Sequence, residues 1–260
     1  MLKKLYISSV LAVFFLVAPL TVPLNAQAQQ VKTKAVLVWS LFDGDHHVVS
    51  SSLVGEKWSD PIAIHSSENL IVTPSLAKTG SDQTMVVWSE QVLGKVRVYQ
   101  SVLSSQSNEW TEPEALVDEG GENLNPNLIN DGQGGLWLFW SGNNGGLDDI
   151  FYKKRSLEDN EWSEVKQLNP PNEVPDYKPI AELDEFGDIR VRWQTFDFLS
   201  SRYVEASETI IIDQKVAYSA DSAANDLELA DIILPEFLPK DSAVSLLFPN
   251  NVAVQSIRVD

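Results

Sequence analysis

The sequence predicts an all-β chain, a β-propeller of four-stranded antiparallel blades with about 52 residues per repeat and four or five blades, and three residue ladders carry that expectation. Trp39, Trp88, Trp140 and Trp193 recur 49, 52 and 53 residues apart, each inside a short apolar run. Trp58, Trp110 and Trp162 follow the first three by 19, 22 and 22 residues. Pro74, Pro126 and Pro179 each stand 14 residues before a tryptophan of the first ladder. Three ladders sharing one period mean one supersecondary unit per repeat.

Each unit reads as four short strands. In the second they are PSLAKTG, TMVVWSE, KVRVYQSVL and EWTEPEALV; in the third NPNLIND, GGLWLFWSG, DDIFYKKRS and EWSEVKQL. The fourth keeps YKPIAELDEFGD and IRVRWQT but has IDQKVAY where a second tryptophan is expected. NDGQGG and LDEFGD join first to second strands, and their Gly, Asn and Asp tolerate the positive φ of tight hairpins. An isolated sheet of this kind cannot bury both apolar faces, whereas radial stacking of successive copies covers them. Alternation puts Trp39, Trp88 and Trp140 on one face with Leu37, Val86 and Leu138, a core face, and Trp137 with Phe139 on the other. Counting 14 back from Trp39 reaches Asn25, so the first unit lacks its first strand. Counting 52 on from Pro179 reaches Asp231, inside LELADIILPEF, with AVSLLF and VAVQSIRV behind it. If only the first of these closes the ring there are four blades; if all three form a degenerate blade there are five, favoured because the terminal hairpin is apolar.

Residues 1–28 carry Lys3 and Lys4, an apolar stretch from Val10 to Leu20 and a small-residue exit at Ala26-Gln27-Ala28, the layout of a secretory leader. The expected organisation is leader 1–28, propeller repeats 29–219 and a closing segment 220–260, in an exported protein, periplasmic or secreted, with no membrane span after cleavage. The chain has no cysteine, so packing alone must stabilise it. Its formal charge is −18, and loss of Lys3 and Lys4 takes it to −20. Such a surface repels phosphate backbones and excludes nucleic acid as a partner.

The repeated motif, an apolar strand ending in Trp-Ser, an aromatic strand, then Trp-Ser/Thr-x-Pro, resembles the neuraminidase-type (Asp-box) propeller repeats of the sialidase superfamily. The matching pieces are VLVWS with EKWSDPIAI, MVVWSE with NEWTEPEALV, and LWLFWSG with NEWSEVKQL, between residues 35 and about 219. The family box reads Ser/Thr-x-Asp-x-Gly-x-Ser/Thr-Trp, whereas the corresponding octets here are SSLVGEKW, LSSQSNEW and RSLEDNEW, so only Ser51 and Gly55 keep it. The resemblance implies the fold. Its catalytic set of three carboxylate-clamping arginines, a tyrosine nucleophile with a glutamate, and an aspartate acid is not recognisable among Arg97, Arg155, Arg190, Arg192, Arg202 and Arg258, and the Arg-Ile-Pro element is absent. No catalytic residue is carried over.

Loops on a rigid scaffold are where sites concentrate, so LFDGDHH, EQVLG, SGNNGGLDD and TFDFLSS, between second and third strands, are the expected binding loops. Their candidate ligand-binding residues are Asp43, Asp45, His46, Asn143, Asn144, Asp148, Asp149 and Asp197. Arg190 and Arg192 replace apolar residues of the other repeats and form a secondary candidate for an anion. Adjacent His46 and His47 point to opposite faces of an extended segment, and no spaced ligand motif implies a metal. No cofactor is expected; Ca²⁺ is the one cation the loop oxygens could recruit. The function expected from scaffold, leader and missing catalytic elements is a non-catalytic binding module for a glycan or protein ligand. A sialidase-like or other glycoside hydrolase or lyase, and a structural assembly subunit, stand as alternatives.

Overall fold

The ladder tryptophans of the second strands stand in runs such as VLVW, MVVW and LWLFW, rich in strand formers, and the chain folds into short antiparallel strands accordingly. The computed structural model describes residues 33–79, 83–104, 107, 109–143, 145–158, 160–212, 234–239, 243–247 and 253–258. The expected leader, Asn144 and residues 213–233, which hold all of IDQKVAY after Ile212 and most of LELADIIL, lie outside the described residues.

Four antiparallel sheets follow the repeat. The second is β5 (Ile71–Lys78), β6 (Thr84–Val92), β7 (Lys95–Leu103) and β8 (Glu114–Val117) in sequence order. The third is β9 (Glu122–Asn130), β10 (Leu136–Asn143), β11 (Asp149–Arg155) and β12 (Lys166–Gln167). The fourth has three described strands, β13 (Asp176–Leu183), β14 (Ile189–Asp197) and β15 (Arg202–Ile210). The first contains β1 (Thr33–Phe42), β2 (His46–Val54), β3 (Lys57–Trp58) and β4 (Ile62–Ser67), and it is completed from the far end of the chain by β16 (Ala243–Leu247) and β17 (Ala253–Arg258), in the order β17-β16-β1-β2-β3 with β4 on β2. The first strand that the first unit lacks is thus supplied by AVSLL, whose Val244 lies opposite Trp39. All four sheets belong to one compact unit, Lys32–Asp260. Among the described residues no helix is long and apolar enough to cross a membrane.

The tryptophans form the seams. Trp39, Trp88, Trp140 and Trp193 are 2, 0, 1 and 5% exposed, which makes them core rather than ligand surface. Each of the last three faces the preceding sheet: Trp88 packs with Val36 and Val38, Trp140 with Met85 and Val87, and Trp193 with Trp137 and Phe139. Trp39 faces the 234–239 segment, stacking on Phe237 at 5.9 Å and joining Leu238. The second ladder works at the outer strand. After each of its tryptophans, Ser59, Thr111 and Ser163 bond one residue of the third strand twice: the side-chain oxygen accepts from Ser52, Val102 and Lys154 N–H at 3.0–3.1 Å, and the backbone N–H donates back to the same residue's carbonyl at 2.8–2.9 Å.

The prolines mark β-bulges. Thr73, Asn125 and Lys178, each directly before its proline, hold φ of 52, 53 and 57°, and at each the register of the first strand shifts against the second. A proline cannot donate to a ladder, so a bulge is where an inner strand accommodates it. Polar side chains then stitch neighbouring inner strands. Ser245 Oγ donates to Pro74 O (2.9 Å), Leu128 N donates to Ser75 Oγ (2.9 Å), and Ala181 N donates to Asn127 Oδ1 (3.0 Å). The serine of each Trp-Ser pair adds a second link: Ser89 Oγ donates to Asn123 O (2.7 Å) and Ser141 Oγ accepts from Lys178 N (3.0 Å).

Candidate functional site

In every sheet the hairpin geometry sends the second-to-third-strand loop and the connection into the next sheet's first strand to the same edge, so LFDGDHH, EQVLG, SGNNGGLDD and TFDFLSS share one edge. Two buried carboxylates anchor it. Glu90, at the end of β6 and 4% exposed, accepts from Ser67 Oγ (2.7 Å) and Asn69 Nδ2 (3.2 Å) and pairs with His65 Nε2 (3.0 Å). Burial pushes its carboxyl up, but the bonds from His65, Ser67 and Asn69 outweigh that and hold it at about 2. Asp176, fully buried at the start of β13, accepts from Trp193 Nε1 (3.0 Å), Asn169 Nδ2 (2.7 Å) and Asn172 Nδ2 (2.7 Å). Both tie the connection from the preceding sheet to the next strand. Sequence reading missed them because a single Glu or Asp beside a ladder tryptophan carries no spacing signal.

The carboxylates that keep solvent access sit on this frame. Asn169 bonds Asp149 Oδ1 (2.9 Å) as well as Asp176, so one amide spans both carboxylates across the third and fourth sheets. Asp148 Oδ1 accepts from Asn143 Nδ2 (3.0 Å). Asp43 pairs with His47 Nε2 (2.8 Å), whose Nδ1 meets Ser66 Oγ (2.7 Å), and the bond from His47 lowers the Asp43 pKa. His46 turns the other way, its ring 4.7 Å from Phe42, as the alternation requires. Asp45 closes its turn through its backbone, accepting from Asp43 N (3.2 Å). Asp197 accepts from Ser200 Oγ and from the N–H groups of Leu199 and Ser200, which lower its pKa and make it a turn former. Beside it stands an aromatic group: Phe196, Phe198 and Tyr203 pack edge to face at 5.2–5.3 Å, and Tyr177 meets Tyr203 at 4.7 Å. Phe198 is 68% and Tyr203 42% exposed, so this cluster is surface, unlike the ladder tryptophans.

Arg190 and Arg192 lie on the face of the fourth sheet turned away from the third. Arg192 is neutralised within its own sheet by Glu182 and Glu205 at 3.4 Å, and Arg190 is exposed, as is Ile180 at 45%. No group of three or more His, Cys, Asp or Glu side chains is placed to hold a metal among the described residues.

No protein-family model matches the chain, and no curated protein matches it in sequence. Its fold does match solved structures. A thermostable family-43 glycoside hydrolase superposes with a TM-score of 0.51 at 11% identity, covering 70% of each chain. A Hadza microbial sialidase superposes with a TM-score of 0.50 at 9% identity, covering 88% of this chain and 58% of that one. The fold is thus of the sialidase and propeller type, as the tryptophan motif suggested. These neighbours also correct the expectation of a non-catalytic binding module: one is named a glycoside hydrolase and the other a sialidase. The motif comparison was misleading here because the missing arginine elements belong to one reaction, whereas the scaffold carries several.

Proposed function

We propose that the chain acts on glycans as a glycoside hydrolase, sialidase-like or of another kind, with the edge formed by the second-to-third-strand loops as its working face. The observation that carries this reading is the fold shared with a glycoside hydrolase and a sialidase, a warrant of analogy, and the chemistry of the edge supports it. Glycoside hydrolysis needs a pair of carboxylates, one to donate or accept a proton and one to attack or to activate water. Asp149, held by Asn169 and partly open to solvent, is the carboxylate assigned to that work, with Asp148 and Asp43 among the other accessible carboxylates of the edge. Asp176 and Glu90 position the strand ends. The exposed aromatic group around Phe198 and Tyr203 offers faces for a pyranose ring. Export through the leader, and closure of the ring with four or five blades, are parts of the same proposal.

A panel of fluorogenic sialosides, arabinosides, xylosides and other glycosides tests it. Turnover of at least one substrate, reduced about 100-fold or more in Asp149→Asn with the fold retained, is the expected result. Absence of turnover across the panel, or full turnover in Asp149→Asn, Asp148→Asn and Asp43→Asn alike, would sink it.

A further inference from the structure

We infer that the first sheet carries a second reactive site, a relay of Asp43, His47 and Ser66 that takes the acyl group of a small carboxylic ester onto Ser66 and passes it to water. The strands bring the three residues together. His47 of β2 and Ser66 of β4 are direct cross-strand partners, so their side chains rise from the same face. His65 and Ser67, on either side of Ser66, turn the other way, to Glu90. The β1–β2 hairpin folds Asp43 back over His47: Asp43 N donates to Asp45 O (3.2 Å) around Gly44, whose φ of 128° other residues rarely adopt. The result is a continuous chain, Asp43 Oδ1 to His47 Nε2 at 2.8 Å and His47 Nδ1 to Ser66 Oγ at 2.7 Å.

These bonds fix the direction in which the proton travels. The bond from His47 holds the Asp43 carboxyl below its ordinary pKa, so near neutrality it is ionised and can only accept. In the neutral ring Nε2 must therefore carry the proton, which leaves the Nδ1 lone pair to accept from the Ser66 hydroxyl. A hydroxyl becomes a nucleophile in this way, with a base in reach and a carboxylate fixing the tautomer of that base. The neighbouring Ser67 shows the contrast, since it donates to Glu90, whose carboxyl at about 2 is too weak a base to take the proton. Access fits the roles: Ser66 is exposed, whereas the His47 side chain is only 16% exposed. In the acyl step Ser66 Oγ attacks the ester carbonyl while its proton passes to His47 Nδ1. The carbon–oxygen bond to the alcohol then breaks, and the alcohol leaves with that proton. Water attacks the acyl carbon next and gives a proton to His47, which returns it to Ser66 Oγ as the acid departs.

The chain treated with p-nitrophenyl acetate tests the assignment by intact mass, peptide mapping and p-nitrophenol release. An acetyl group on Ser66 is expected, with a burst of p-nitrophenol followed by slower turnover. Acetylation should fall about 100-fold or more in His47→Ala and return in part with added imidazole, which a merely structural role for His47 does not allow. Asp43 acts through His47 and is a positioning residue, so its readout is the ring itself. Nitrogen-resolved NMR of His47 at about pH 8 should place the proton on Nε2, and Asp43→Asn should mix the tautomers. Ser66→Ala should remove the adduct, and peptide mapping of the parent chain decides the point even where that variant does not fold. No acetyl group on Ser66, equal acetylation in folded His47→Ala, or a ring proton held on Nδ1 overturns the assignment. The relay does not rest on the hydrolase reading: acylation is read at Ser66 and glycoside turnover at Asp149, on different sheets, so either can fail alone.

Discussion

Trp140 donates its indole N–H to Asn123 Oδ1 at 2.9 Å, and Trp193 donates to Asp176, but Trp88 Nε1 is buried with no partner because Ile71 occupies the corresponding place, three residues before the proline. Asn123 also donates to Val96 O and Glu119 O at 3.0 and 2.9 Å, so Asn123→Ala should cost about 1–3 kcal/mol in urea denaturation. An unchanged midpoint would remove Asn123 from the list of seams. Glu90 supplies a pH dependence whose sign is fixed by its depressed pKa. Folded, it titrates at about 2 against an ordinary 4.5, so the unfolded chain binds its proton more readily. Its contribution is full above pH 4.5 and disappears as pH falls toward 2, on the order of 3 kcal/mol in total. Glu90→Gln should therefore lose stability at pH 7 but show a flatter fall between pH 4.5 and 2; parallel pH profiles for the two proteins would contradict this. The tryptophans were legible in the sequence because they repeat. Their partners were not, since Ile71, Asn123 and Asp176 are three different answers at one position.

The strands show what periodicity resolves and what it does not. Alternation placed Leu37, Val86 and Leu138 with the ladder tryptophans, and the burial of all three agrees. The proline ladder announced a common element, but a bulge is a backbone event, seen only in the φ of Thr73, Asn125 and Lys178. The Trp-Ser pair likewise conceals its use. Ser89 and Ser141 face the next sheet's inner strand, and Ser141→Ala leaves the Lys178 N–H without its partner in a strained segment. That substitution should cost about 1–2 kcal/mol and speed amide exchange at Lys178 before the global transition. Exchange at Lys178 unchanged from the parent would show that the stitch contributes little. The partner of β1 was the least legible element: AVSLL lies about 200 residues away in sequence, and nothing local distinguishes it from the neighbouring apolar segments. Arg190 and Arg192 depart from the apolar pattern of the other repeats, yet cross-strand Glu182 and Glu205, which neutralise Arg192, become neighbours only through the register of the fourth sheet.

At the scale of the whole molecule, repeated sheets give two edges with different chemistry. One edge gathers Asp43, Asp148, Asp149 and Asp197 with the exposed aromatics of the fourth sheet; the other carries first-to-second-strand turns such as the one Asp131 N closes on Gly135 O. Loop composition alone pointed to the first edge but could not separate accessible carboxylates from turn formers such as Asp197 or anchors such as Asp176. Whether the acidic edge receives a glycan is decided by a crystal structure of residues 29–260 in complex with a slowly hydrolysed oligosaccharide substrate from the activity panel. The expected result is a sugar ring at the second-to-third-strand loops with its glycosidic oxygen within hydrogen-bonding reach of Asp149, about 2.6–3.2 Å. A sugar seated elsewhere on the molecule, with Asp149 facing solvent alone, would contradict it.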